Sequence, residues 1–350
     1  MGEISLQNGS EVGASREYVE FVGIPDQRGR KFARRRRAKS LSQQSEKVHG
    51  DAPSWVNVRK CGVPLGEVSV AYDANGKCHF RGVIHCCLAW VCAVCSARIR
   101  AARVAEIERG SVVWADRGGT FAMFTLTVSH DASMPLVDVM GALTRSWRNL
   151  QMSRSYRQVR GEVEGTIKGL EMTFGANGWH PHLHVLLFVR PGSDVVSIGD
   201  SFMALTGSWI RSVSGALGRS PLPEYALDFR VLGSDSAGYV AKIAKEIASS
   251  DTKSGRDPLA FLDVDGSNVN FAVAKFCEYA DATYGRQAVS WSKGLRKLLG
   301  LVDPVGDDLL EEVTLLFFIP RSLYLNVLRA GDEDSFLSYC ETLTPLGLTC

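Results

Sequence analysis

Gly178-Trp-His-Pro-His-Leu-His-Val-Leu-Leu-Phe188 is an apolar, β-prone run in which His182 and His184 stand two residues apart. Successive side chains of a strand point to opposite faces, so this spacing sets both imidazoles on one face while Leu183 and Val185 turn into a core. Upstream, Ile167-Lys-Gly-Leu-Glu-Met-Thr-Phe174 also reads as a strand, and Gly175-Ala-Asn-Gly178 between the two has the chemistry of a tight connection. The expectation is a hairpin. Counted outward from Phe174 paired with Trp179, it sets Glu171 opposite His182 on the same face. A lone histidine near a strand is ordinarily satisfied by a carbonyl. A period-two pair with a carboxylate across the ladder instead outlines a divalent-metal site made of His182, His184 and Glu171. His180 points the same way from the hairpin mouth, as a neighbour of the ligands or a substrate contact. On residue types alone, a ferrous oxygenase or a cupin-like enzyme is equally open.

At 350 residues and 45% hydrophobic content, the chain has enough apolar material for one substantial core and smaller modules. Forty Lys and Arg against 38 Asp and Glu leave a formal charge of +2, so any affinity for nucleic acid must come from local patches. No apolar run approaches the ~18 residues of a membrane span, and the polar start lacks the apolar centre of a signal peptide. A soluble, cytoplasmic protein with no membrane partner is expected. The first fifty residues show no apolar periodicity and read as a disordered tail. Its basic run, Arg34 to Arg37 above all, is a solvated charge cluster or a weak phosphate attractor.

Nine cysteines, five of them between Cys78 and Cys95, suit thiolate metal ligation better than a disulfide framework. Cys92-Ala-Val-Cys95 is a knuckle, Cys86 precedes it by six residues, and Cys61 lies beyond a predicted hairpin turning at Asp73-Ala-Asn-Gly76. Cys61, Cys86, Cys92 and Cys95 are the preferred ligands of a structural zinc, with Cys78, His79, His85 and Cys87 as rivals. Four protein ligands leave no open position, so the ion holds a subdomain together and does no chemistry. A helix is expected over 97–109, stopped by Gly110. Thr120 to Val128 reads as a strand with Thr125 and Thr127 on the metal-bearing face. Amphipathic helices are expected over 137–150 and 199–217, and a strand over 225–232.

Ser234 to Glu246 reads as a helix in which Asp235, Tyr239 and Lys242 share one face at i, i+4 and i+7. Taken singly they are a cap, a core aromatic and a surface charge. Aligned, they bring a carboxylate, a phenol and an ammonium together.

Phe124-Thr-Leu-Thr127, the Trp179 to His184 block and Tyr239-x-x-Lys242, in that order, resemble the three motifs of HUH endonucleases. More closely they resemble rolling-circle replication initiators of bacterial plasmids. In that family a segment like Cys86-x5-Cys92-x2-Cys95, with a Trp at the position of Trp90, precedes the first motif, and Trp291-Ser-Lys-Gly-Leu-Arg296 matches a recurrent ending. The similarity runs from about Cys61 to about Gly300. It implies an α+β fold, a central antiparallel sheet with flanking helices of HUH endonuclease type, plus a small zinc-binding subdomain. It also implies that Mg²⁺ or Mn²⁺ on His182, His184 and Glu171 polarises a phosphate for attack by Tyr239, giving a 5′-phosphotyrosyl intermediate and a primer 3′-hydroxyl. Lys242 would steady the phosphate. Asp235 stands where the family more often has Glu, with a shorter reach toward water.

The implied partners are single-stranded or cruciform DNA at a replication origin, with host helicase and polymerase. Arg148, Arg154, Arg157 and Arg160 are candidates for a basic groove. The same core serves transposases and mobilisation relaxases, and a non-catalytic zinc-dependent DNA-binding protein is the reading from another class. These signals divide the chain into a disordered basic tail (1–50), a zinc-binding subdomain (51–110), an HUH endonuclease core (111–250) and a C-terminal region (251–350).

Overall fold

The computed structural model describes residues 27–232, 256–301 and 313–344. Helix α1, Gln27–His49, leads to strands β1, Pro64–Tyr72, and β2, Cys78–Val83. Between those strands Asp73 accepts the backbone N–H groups of Asn75 and Lys77, which makes the expected turn. Helix α2, Ala93–Asp116, and strand β3, Thr120–Thr127, follow. Next come α3, Leu136–Met152, and α4, Arg154–Val159, and then the long hairpin of β4, Val163–Gly175, and β5, Gly178–Val189. Two helices stand where one was expected over 199–217: α5, Val195–Met203, and α6, Thr206–Leu217. After α7, Pro223–Ala226, and β6, Leu227–Leu232, the chain is described again at Arg256. The remaining elements are α8, Val269–Thr283; β7, Val289–Trp291; α9, Leu295–Leu298; β8, Thr314–Ile319; α10, Arg321–Ala330; and α11, Glu333–Glu341.

The main sheet is antiparallel in the order β6-β3-β5-β4-β7, which puts the histidine strand β5 at its centre. One face is covered by α3, α5 and α6, whose Val139, Leu143, Trp147, Phe202 and Trp209 pack on Phe124, Leu126, Val185 and Leu187. On the other face Ile107 and Trp114 of α2 lie over Phe121, Met123, Leu186 and Phe188. That apolar cover ends where Thr125, Thr127, His184 and His182 begin on the same face. The fold is α+β, as expected.

Gly110 does not stop α2, which runs on to Asp116. A Cβ at Gly110 would lie 3.1 Å from Leu299 and 3.3 Å from Trp291, so the glycine is there for close packing of the C-terminal segment. A second antiparallel sheet has the order β2-β1-β8, with Val68, Val70, Ile319, Tyr324 and Leu337 in its core. The C-terminal region therefore divides. Residues 256–301 complete the main core, whereas 313–344 build onto the cysteine-rich unit.

The expected disordered tail is overturned for 27–49, which form α1. Phe32, Ala38 and Leu41 supply little apolar area, and α1 is held instead by charge. Arg28 pairs with Asp334 at 2.5 Å and with Glu341, and Arg34 grips Asp263 at 2.6 Å. Arg35 and Arg36 both bind Glu333, whose side chain is fully buried. Removing one partner of a buried ion pair leaves the other uncompensated, which costs about 3–5 kcal/mol. A Glu333→Ala variant is thus expected to lose about that much in denaturant unfolding. Breaking the exposed Arg190–Glu164 pair by Arg190→Ala should cost less than about 1 kcal/mol.

Candidate functional site: a histidine row and a four-cysteine cluster

The hairpin register is as the sequence requires. Glu171 lies opposite His182, Thr173 opposite His180 and Phe174 opposite Trp179. Gly175 and Gly178 pair directly, so Ala176 and Asn177 make the turn. Gly178 has φ +82°, and a Cβ there would meet Ala132 Cα at 2.9 Å. The loop after β3 therefore seats on the hairpin tip.

That loop brings His130 to the site, a residue that sequence reasoning missed. Its ring lies 4.5 Å from His180, which is 4.0 Å from His182, with His184 a further 6.1 Å along. His130 also hydrogen bonds the Asn177 carbonyl through Nδ1 at 2.9 Å. It carries no periodicity signal, because only the loop's seat on Gly178 turns it toward the row.

The threonines of β3 do what their parity suggested. Thr125 Oγ1 is 3.0 Å from His184 Nδ1, and Thr127 Oγ1 is 3.4 Å from His182 Nδ1. Engaging Nδ1 leaves Nε2 as the ligating nitrogen, which is how metal-binding imidazoles are usually oriented. Glu171 Oε2 lies 2.7 Å from His184 Nε2, diagonally across the ladder. The three side chains are thus brought together, although Glu171 bonds His184 and the ligand atoms of the set do not converge as tightly as those of the cysteines.

Burial, with the neighbouring imidazoles, pushes His182 down to about 3 and His180 down to about 4, from 6.5. Both are neutral at pH 7 and need shed no proton to ligate. The unfolded chain takes up protons below its ordinary value of about 6.5, and the folded chain refuses them until about 4 and about 3. Stability is therefore full above that ordinary value and lost on acidification, by roughly 2 kcal/mol at about pH 4.5 for His182 alone. Thermal melts across this window should fall less steeply for His182→Gln.

The second cluster is tighter. Cys61 follows a short 3₁₀ turn, Cys86 follows β2, and Cys92 and Cys95 sit at the start of α2. Sulfur separations are 3.5 Å for Cys92–Cys61, 3.6 Å for Cys61–Cys95 and 3.7 Å for Cys86–Cys95. Four sulfurs at about 2.3 Å from a tetrahedral ion stand about 3.8 Å apart, so the set fits zinc. Hydrogen bonds from Cys86, Cys92 and Cys95 pull the Cys61 thiol down, and sharing that bond pushes the other three up. Among the described residues, this is the one group of three or more candidate ligands gathered within 4.8 Å. Of the rivals, Cys78 lies in the core of the small sheet, His79 reaches Asp73, and Cys87 is exposed. His85 lies against the cluster beside Cys61.

Trp90 joins this unit to the hairpin. Its ring meets Tyr279 edge-on at 6.3 Å, and Tyr279 stacks on Trp179 at 5.8 Å.

Not every expected residue reaches the site. Arg148, Arg154, Arg157 and Arg160 belong to α3, α4 and the turn after it, in the layer on the sheet face opposite the imidazoles, so they do not line a groove there. Asp235, Tyr239 and Lys242 lie outside the described residues.

Among known proteins, the family model described as a replication protein matches residues 81–193, which span Cys86 to Cys95, both threonines, Glu171 and the histidines. This chain is one of the replication proteins. The resemblance to plasmid rolling-circle initiators drawn from the motifs is borne out at that level. A protein rep of Streptomyces lividans is 28% identical over 324 residues, covering 70% of this chain and 71% of the relative. A neomycin resistance protein of Streptomyces cyanogenus is 30% identical over 153 residues, covering 36% of this chain and 35% of that protein. No solved structure matches. Among the described residues no helix is long and apolar enough to cross a membrane.

Proposed function

We propose that this replication protein starts rolling-circle synthesis by nicking single-stranded DNA at an origin and later rejoining it, with Tyr239 as nucleophile. The observation that carries the reading is the row of His182 and His184 on the central strand, with Nδ1 of each held by a threonine and Glu171 alongside. Two Nε2 atoms and a carboxylate fit Mg²⁺ or Mn²⁺, which would neutralise charge on the non-bridging oxygens of the scissile phosphate. Glu171 would exchange its bond to His184 for that role.

Tyr239 Oη forms the new bond to phosphorus and loses its proton. The 3′-oxygen leaves and is protonated to the hydroxyl that primes a polymerase. Bond count and charge on phosphorus are unchanged, so the joining reaction runs back at little cost. Lys242 steadies the phosphate, and Asp235 is placed to draw a proton. Topology favours this assignment. Leu232 pairs with Phe121 at the level of Phe188, and Arg256 bridges Phe174 at the level of Trp179. The segment 233–255, which carries Tyr239, joins two levels that bracket His184 and His182. Host helicase and polymerase would act on the opened strand.

The test is to incubate the protein with each strand of the DNA that encodes it plus Mn²⁺ and run a denaturing gel. A protein band shifted by covalent DNA is expected. No adduct on any strand would leave a zinc-dependent DNA-binding protein as the better reading. Nicking confined to transposon ends or a transfer origin would make it a transposase or relaxase.

A further inference from the structure

At the far end of the hairpin Phe271 of α8 stands 52% exposed, although burying such a ring is worth a good fraction of what a whole core side chain contributes. Single exposed rings are ordinary, but this one is not isolated. Its inner edge meets Phe174 at 6.0 Å and Phe261 at 6.3 Å, both near-perpendicular. Phe174 in turn packs edge-on against Trp179 at 4.9 Å. The ring is thus braced from below with one side left to solvent.

Cations border it on two sides. The Lys275 ammonium lies 5.6 Å from the Phe174 centroid, and the exposed Arg256 guanidinium lies 5.5 Å from that of Phe261. Lys275 also pairs with Glu278 at 2.8 Å, so Arg256 is the more available charge. A braced aromatic face flanked by cations is what an unpaired base and its phosphates require, and less suited to duplex DNA, whose bases are already stacked.

We infer that Phe271, Phe174, Arg256 and Lys275 form a base-stacking platform for single-stranded DNA beside the nicking site. The inference rests on the nuclease reading for its position in the reaction. Phe174 is three residues along β4 from Glu171, roughly 10 Å, so the stacked base lies a short way along the strand from the scissile phosphate.

Fluorescence anisotropy of a labelled unstructured oligonucleotide with the full-length protein, in buffer without added Mn²⁺, tests this. Phe271→Ala is expected to weaken binding about ten-fold, Phe271→Trp to keep it, and Phe271→Leu to behave like Ala, because the π-face and not apolarity is needed. Melting temperatures should be unchanged, since the ring is half exposed. An oligonucleotide abasic at the contacted position should bind wild type and Phe271→Ala alike.

Equal affinity of wild type and Phe271→Ala for the intact strand overturns the platform, as does a loss confined to self-association in sedimentation. The two readings fail separately. A wild-type protein that forms the covalent adduct while Phe271→Ala binds normally refutes only the platform. A ten-fold loss in a protein that never forms an adduct refutes only the nuclease.

Discussion

Replacing Tyr239 by Phe is expected to abolish the covalent protein–DNA adduct while leaving the affinity for single-stranded DNA within about two-fold of wild type. The exchange removes one oxygen and keeps the ring. Packing and the electrostatics of DNA binding are therefore preserved, and the only loss is the atom that bonds phosphorus. Removing a nucleophile outright typically costs about 10⁴-fold or more. His182→Gln and His184→Gln should retain more activity than that, since an amide can still ligate, with losses on the order of 10²–10³-fold. Single-turnover cleavage of an origin oligonucleotide reads all three. An adduct of undiminished yield with Tyr239→Phe would move the nucleophile elsewhere and break the assignment. Activity of the histidine variants equal to wild type would separate the imidazole row from the chemistry.

Loss of the zinc should have the largest effect on stability. One zinc per chain is expected by elemental analysis and none in Cys92→Ser, whose melting transition should drop by more than about 10 °C or lose cooperativity, as should the wild type under a strong chelator. The reason lies in what the four sulfurs connect. Cys92 and Cys95 set the start of α2, and Cys61 leads into Gly62, whose carbonyl accepts the Tyr324 hydroxyl of α10 at 2.7 Å and against which Arg35 of α1 packs. Trp90 carries the order on to Tyr279 and Trp179 under the hairpin. Structural zinc sites contribute apparent binding energies of about 10–16 kcal/mol, comparable with the whole stability of a domain. A melt unaffected by chelation would show that the thiols are ordinary core groups.

The parts of the fold legible in the sequence are those that short-range rules govern. Strand parity and a short turn sufficed to set Glu171 opposite His182 and to place Thr125 and Thr127 beside the imidazoles. Knuckle spacing was enough to choose four cysteines among several rivals. Helix α1 was illegible because its stabilising partners, Asp257, Asp263, Glu333, Asp334 and Glu341, lie more than two hundred residues away. A basic run without its counter-charges has the signature of a solvated tail. Gly110 misled for a related reason, since a glycine that admits Leu299 and Trp291 looks locally like a helix stop. The arginines of α3 and α4 were assigned to the histidine side because their sequence position shows the element but not the layer.

The Arg35–Glu333 bond also bears on how the polypeptide is made. Its two halves are separated by 298 positions, which at a ribosomal speed of about 5–20 residues per second is a delay of roughly 15 to 60 seconds. Throughout that interval the first helix has left the exit tunnel without its acidic partner, and β1 lacks its neighbour β8. The cysteine unit therefore matures last although it is translated early, and a truncated product ending before Glu333 would be expected to enter degradation and not the pool of working protein.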